Sequence, residues 1–150
     1  MSNPYQVPKV QVGVDLFDSH NQTWRSGFLH VSSVSRFGHG RETVEEYLRE
    51  AGHFIPFNPE DTPGHTELWG IHSTLAVRER AILSEEGRTS LQVHMRGGWV
   101  WQVWDFTQRP PHHERLLDYL NGPESILLFR DEAFRPICIN RSLLEKVVIL

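Results

Sequence analysis

The order of segments repeats once along this chain, and that repeat constrains the fold more than any single motif. Val10, Val12, Val14 and Leu16 alternate with polar or small residues, the period of a strand. The turn-forming run Asp18-Ser19-His20-Asn21-Gln22 follows, and residues 24–31 form the returning strand. In RETVEEYLREAG, Val44, Tyr47, Leu48 and Ala51 hold the i, i+3, i+4, i+7 spacing of an amphipathic helix. Glu42, Glu45 and Glu46 lie near its positive end, and Gly52 is placed to stop it. A short apolar strand (53–57), a loop rich in Pro, Asp and Gly (58–65), a strand around 68–71 and an apolar stretch complete the set.

The set then starts again. Leu91, Val93 and Met95 alternate, Arg96-Gly97-Gly98 makes a tight turn, and residues 99–104 return. Pro110-Pro111 precede a second helix with Leu116, Leu117 and Leu120 on its apolar face and Gly122 as its stop. Apolar strands at 125–129, 134–139 and 146–150 close the chain. An offset of 72 residues pairs Glu42 with Glu114, Tyr47 with Tyr119, Leu48 with Leu120 and Phe57 with Phe129. Four identities in sixteen positions exceed the roughly one that average residue usage supplies. With a longer loop in the first copy, Ile71 aligns with Ile139 and Leu75 with Leu143.

The expected fold is therefore α+β: two diverged β-β-α-β-β(-β) units, mostly antiparallel, with one helix each. The first unit spans 1–84, a connector 85–88 and the second unit 89–150. A unit of about seventy residues buries only a modest fraction of its surface, so the two are expected to pack as one pseudo-symmetric pair sharing a core. The terminal run Val147-Val148-Ile149-Leu150 is expected to be pinned in a sheet.

Composition narrows the function classes. The formal charge is −4 and no Lys/Arg run exists, which argues against a protein built to grip phosphate backbones. A single cysteine, Cys138, permits no internal disulfide. No apolar run nears the roughly twenty residues of a membrane span, and the first ten residues lack a signal pattern. A soluble, cytoplasmic protein binding neither nucleic acid nor membrane is expected.

The string WQVWDFTQRPPHHERLLDYLNGPESILLF, with the later FRPICINRSLLEKVVI, resembles a bacterial family of small domains of uncharacterised function. The shared positions are Arg109, Asp118, Leu120, Asn121, Phe129, Ile139, Asn140 and Arg141, and the match covers about residues 91–150. The first half departs from it at Glu46, Arg49 and His72. The resemblance implies a small β-rich domain with one helix, and no known activity.

Nine histidines are present, densest at His112-His113-Glu114, but adjacent residues at a helix start point about 100° apart and cannot chelate together. No HExxH or paired CxxC occurs, so neither a metal site nor a cofactor is expected. No G-x-S-x-G is present, and Cys138 in its apolar run is expected to be a buried, inert thiol, so no catalytic residue is assigned. Arg36 and Arg109 precede the two helices. Each is read either as a structural arginine paired with helix acids (Glu46, Asp118) or as part of an anion site.

The strand Trp99-Val100-Trp101-Gln102-Val103-Trp104 carries bulky residues on both faces: Trp99, Trp101 and Val103 on one, Val100 and Trp104 on the other. Such a strand is either buried on both sides or half of it meets a partner. Trp99, Trp101 and Trp104 are therefore candidate partner-binding residues. The expected function is a non-enzymatic adaptor or regulatory module that binds another protein, or a second copy of itself. A small-ligand or metal-responsive sensor, and an enzyme without a short motif, are the alternatives.

Overall fold

The computed structural model describes residues 8–38, 40–81, 89–105 and 113–150. The connector 85–88, Arg109 and His112 fall outside the described residues. Among the described residues ten strands and two α-helices make a mixed α+β arrangement whose strands form one sheet, with every neighbouring pair antiparallel.

Alternation builds the first hairpin. In β1 (Lys9–Asp18), Val12, Val14 and Leu16 are buried on one face, while Asp15 and Phe17 are buried on the other. Asp18 closes the turn: its Oδ1 accepts the backbone N–H of His20 at 3.0 Å and its Oδ2 accepts from Asn21 Nδ2 at 2.7 Å. β2 (Thr23–Ser32) returns beside β1, with Phe17 facing Trp24 across the pair.

Thr43 caps α1 (Val44–Glu50), its Oγ1 accepting from Glu46 N at 3.1 Å, and Val44 and Leu48 one turn apart enter the core. The helix ends differently from expectation. Ala51 caps it in an extended conformation, and Gly52 does not take up positive φ. The chain runs straight into β3 (Phe54–Pro59), so no left-handed reversal is needed.

β4 (Glu67–Gly70) pairs with β3, and β5 (Ala76–Glu79) pairs with β1. The second hairpin joins β6 (Thr89–Met95) to β7 (Trp99–Asp105) through Gly97 and Gly98, both at positive φ. α2 (His113–Leu120), β8 (Ile126–Arg130), β9 (Pro136–Asn140) and β10 (Leu144–Ile149) follow. Residues 91–95 of β6 pair with β10, so the run from Val147 to Ile149 lies in the sheet as expected. Ile55 faces Trp69 across β3–β4 and Leu127 faces Ile139 across β8–β9. With Ile55 set on Leu127, Trp69 and not Ile71 takes the place of Ile139.

Across the sheet the order is β10-β6-β7-β8-β9-β5-β1-β2-β3-β4. Among the described residues two apolar cores result, where one shared core is expected from the sequence. One gathers Val14, Leu16, Leu29, Ile55 and Phe57 under α1; the other gathers Leu91, Val93, Val103, Leu127 and Phe129 with Leu116 of α2. β8 and β9 lie between them: Ile126 and Cys138 face the first core, while Leu127, Phe129, Ile137 and Ile139 face the second. All five residues of β9 are buried, which explains an apolar run without polar alternation. Among the described residues no helix is long and apolar enough to cross a membrane.

Candidate interaction site

Alternation along β7 turns Trp99 and Trp101 to one side, and the β1–β2 hairpin meets them there. The Phe17 ring stands edge-on to three indoles, with centroids 4.8 Å from Trp99, 5.1 Å from Trp101 and 5.2 Å from Trp24. Trp24 lies 5.5 Å from Trp101. Edge-to-face contacts at these distances are the favoured aromatic geometry. A cation completes the group: the Arg78 guanidinium of β5 lies 4.1 Å above the Trp24 ring. Arg78 is held there by Asp15, its Nε donating to Oδ2 at 2.9 Å, while Ser26 Oγ donates to Oδ1 of the same carboxylate at 2.7 Å. Asp15 is buried, so this ion pair is shielded from water and orients the guanidinium firmly.

Beside Trp24 and Trp101 lies a recess of about 200 Å³, lined by Arg78, Val100, Asp131 and Arg135 among others. The β8–β9 turn forms its far wall. Asp131 locks that turn by accepting from the backbone N–H of Ala133 and of Arg135, both at 2.9 Å, and from Arg135 Nε at 2.8 Å. Phe134 in the turn adopts φ 59 and stacks on Trp104 with centroids 6.1 Å apart. Trp104 therefore braces the turn and does not join the Trp99–Trp101 side.

Of the sequence-predicted residues, the structure brings Trp99 and Trp101 together and leaves Trp104 apart. Arg36 is mostly exposed and forms an ion pair with Glu50 at the end of α1, not with Glu46, whose carboxylate accepts from Ser35 Oγ at 2.9 Å. Arg109 falls outside the described residues. Trp24, Phe17, Asp15 and Arg78 were not singled out from the sequence. The facing of Phe17 and Trp24 follows from hairpin register and was legible; the arrival of Arg78 depends on β5 settling beside β1, which no local signal carries.

Among the described residues no group of three His, Cys, Asp or Glu side chains could hold a metal ion. Cys138 is buried in the first core, and burial pushes its thiol well above its ordinary value, with Glu45 and Glu79 adding to the effect. A raised folded-state value favours the neutral thiol, so its contribution to stability is whole below the unfolded value near 8.5 and fades as pH rises past it. Thiol labelling of the native protein is accordingly expected to proceed only at the rate of global unfolding. Labelling faster than unfolding, followed by ultraviolet-visible detection of the released reporter, would contradict this. Comparison with family models, with curated proteins and with solved structures returns no match to this chain.

Proposed function

We propose that this chain is a diverged tandem pair of one β-β-α-β-β unit that serves as a non-enzymatic interaction module, binding a partner protein at the Trp24–Trp101–Arg78 face. The observation that carries the reading is the recess: two indoles, a guanidinium fixed by a buried carboxylate, and Val100 44% exposed at its rim. Trp and Arg dominate binding hot spots because they bury much area while offering directed donors. At about 200 Å³ the recess is smaller than the roughly 300–1,000 Å³ of small-molecule pockets. A side chain from a partner surface fits that scale better than a free ligand does. The cytoplasmic setting and the bacterial origin expected from sequence belong to the same reading.

Support for the duplication comes from strand order and from two bonds outside the ladders. The first five strands lie in the order β5-β1-β2-β3-β4 and the second five in the order β10-β6-β7-β8-β9, the same order by position in each half. Setting Ile55 on Leu127 puts Ile71 on Arg141, and both amides make the same bond: Ile71 N–H to His53 O at 2.9 Å, Arg141 N–H to Ser125 O at 3.0 Å. Carried round each hairpin, the same registers put Arg80 on Leu150. Arg80 N–H donates to Gly13 O at 3.2 Å and Leu150 N–H to Ser90 O at 3.0 Å.

A photo-crosslinking amino acid at position 100 tests the binding reading in the protein's own cells. One polypeptide other than this chain is expected to be captured, with yield falling at least tenfold in Trp101→Ala, a loss of about 1.4 kcal/mol or more. Thermal melting of Trp101→Ala checks that the variant remains folded. Capture unaffected by Trp101→Ala, or no captured polypeptide, would overturn the proposal.

A further inference from the structure

The two halves meet where β9 lies beside β5, and α1 of the first half shelters the outer face of β8 and β9. Ile126 and Cys138 on that face are 4% and 3% exposed. Arg49 of α1 fastens the contact, its Nη2 donating to Ile126 O at 2.9 Å and its Nε lying 3.0 Å from Glu124. On the duplication reading this junction has a counterpart left open. β4 corresponds to β9 and β10 to β5, and these two strands are the ends of the sheet order.

The exposed apolar side chains fall on that counterpart. Phe54 and Leu68, which correspond to Ile126 and Cys138, are 64% and 68% exposed. Pro56, corresponding to Leu128, lies directly opposite Leu68 and is exposed as well. Leu117 of α2 takes the place of Glu45, which pairs with Arg49 at the internal junction, and it is 56% exposed. Ile149 and Leu150, at the β10 edge, take the places of Glu79 and Arg80 and are 38% and 63% exposed. Five of the eight large exposed hydrophobic residues among those described thus sit where the internal junction would bury or border them. Scattered single apolar residues need no explanation, but a set that reproduces the two sides of an existing contact does.

We propose that a second copy of this chain docks here, its β10 extending the sheet beside β4 and its α2 covering Phe54, Pro56 and Leu68. This rests on the duplication reading and is independent of the Trp101 face. The register follows from the internal junction, where Val77 faces Cys138, Ala76 faces Ile139 and Arg78 faces Ile137. Val147 of the second copy accordingly faces Leu68, Lys146 faces Trp69 and Val148 faces Glu67. Unpaired edge strands are the natural site of such addition. The contact joins two different surfaces, so it is heterologous: it either closes into a ring or continues into longer assemblies.

Sedimentation velocity over rising concentration tests this. The wild-type chain is expected to sediment as a multiple of its 17.4 kDa mass. Leu68→Lys and Leu117→Lys, both at exposed positions, are each expected to return it to the monomer with unchanged melting. Mixing the two variants is expected to restore 1:1 association, because each keeps one intact side. Trp101→Ala is expected to leave association unchanged, which separates this contact from the partner site. A wild-type monomer at hundreds of micromolar would overturn the proposal. So would association that survives both lysine variants, or a mixture that stays monomeric.

Discussion

Replacing Asn140 by alanine is expected to lower the unfolding free energy by about 3 kcal/mol, the cost of leaving several buried polar groups unmatched. Asn140 is buried at the end of β9, and its amide serves both halves of the chain. Nδ2 donates to Ile71 O at 3.0 Å and to Thr74 O at 3.2 Å, while Oδ1 accepts from Ser142 N at 3.1 Å and Ser142 Oγ at 2.7 Å. Its own backbone N–H donates to Leu75 O at 3.0 Å. The side chain thus ties the segment after β4 to the turn before β10, and alanine would strand two carbonyls away from water. Ser142→Ala removes only one hydroxyl from the same group and is expected to cost about 1 kcal/mol. Urea unfolding of both variants, with the slope unchanged, reads the difference. Equal effects would mean that Asn140 does not bridge the halves.

Gly27→Ala is expected to cost about 3 kcal/mol, at the upper end of ordinary overpacking, while Gly13→Ala costs about 1. Both glycines lie in the first hairpin and face each other's strands, with Gly13 opposite Phe28 and Gly27 opposite Val14. A Cβ on Gly27 would fall 2.4 Å from the Phe57 ring and 2.4 Å from the backbone oxygen of Asn58. Phe57 is fully buried and Asn58 is paired to Phe28 in β3, so neither can give way. A Cβ on Gly13 would meet the Arg80 guanidinium at 2.7 Å. That side chain is flexible, and its bonds to Gly27 O and Glu60, both 3.1 Å long, are partly exposed and weakly stabilising. Comparable losses for the two variants would contradict this ordering.

The sequence carried the local half of this fold and little of the rest. Strand alternation placed β1, β2, β6 and β7, and helical spacing placed α1 and α2, because those periods depend only on which face is buried. The mixed α+β class followed from them. The union of β9 with β5, which pairs Ala76 with Ile139 far along the chain, leaves no periodic trace. The burial of Cys138 follows from its apolar run, but which core it enters depends on that union, as the Arg78–Trp24 contact depends on β5 lying beside β1. The Ile-Asn-Arg run noted in the family resemblance proves to be architectural here: Asn140 joins the halves and Arg141 Nη1 donates to Gly122 O. Arg49, one of the departures from that resemblance, also joins the halves, its Nη2 donating from α1 to Ile126 O of β8.

The most direct test of the interaction reading is native mass spectrometry of the tagged chain recovered gently from its own cells. A stoichiometric second polypeptide, lost from Trp101→Ala and retained by Leu68→Lys, is the result expected of a module that binds a partner through the tryptophan face. A spectrum holding only the 17.4 kDa chain and its multiples would contradict that account.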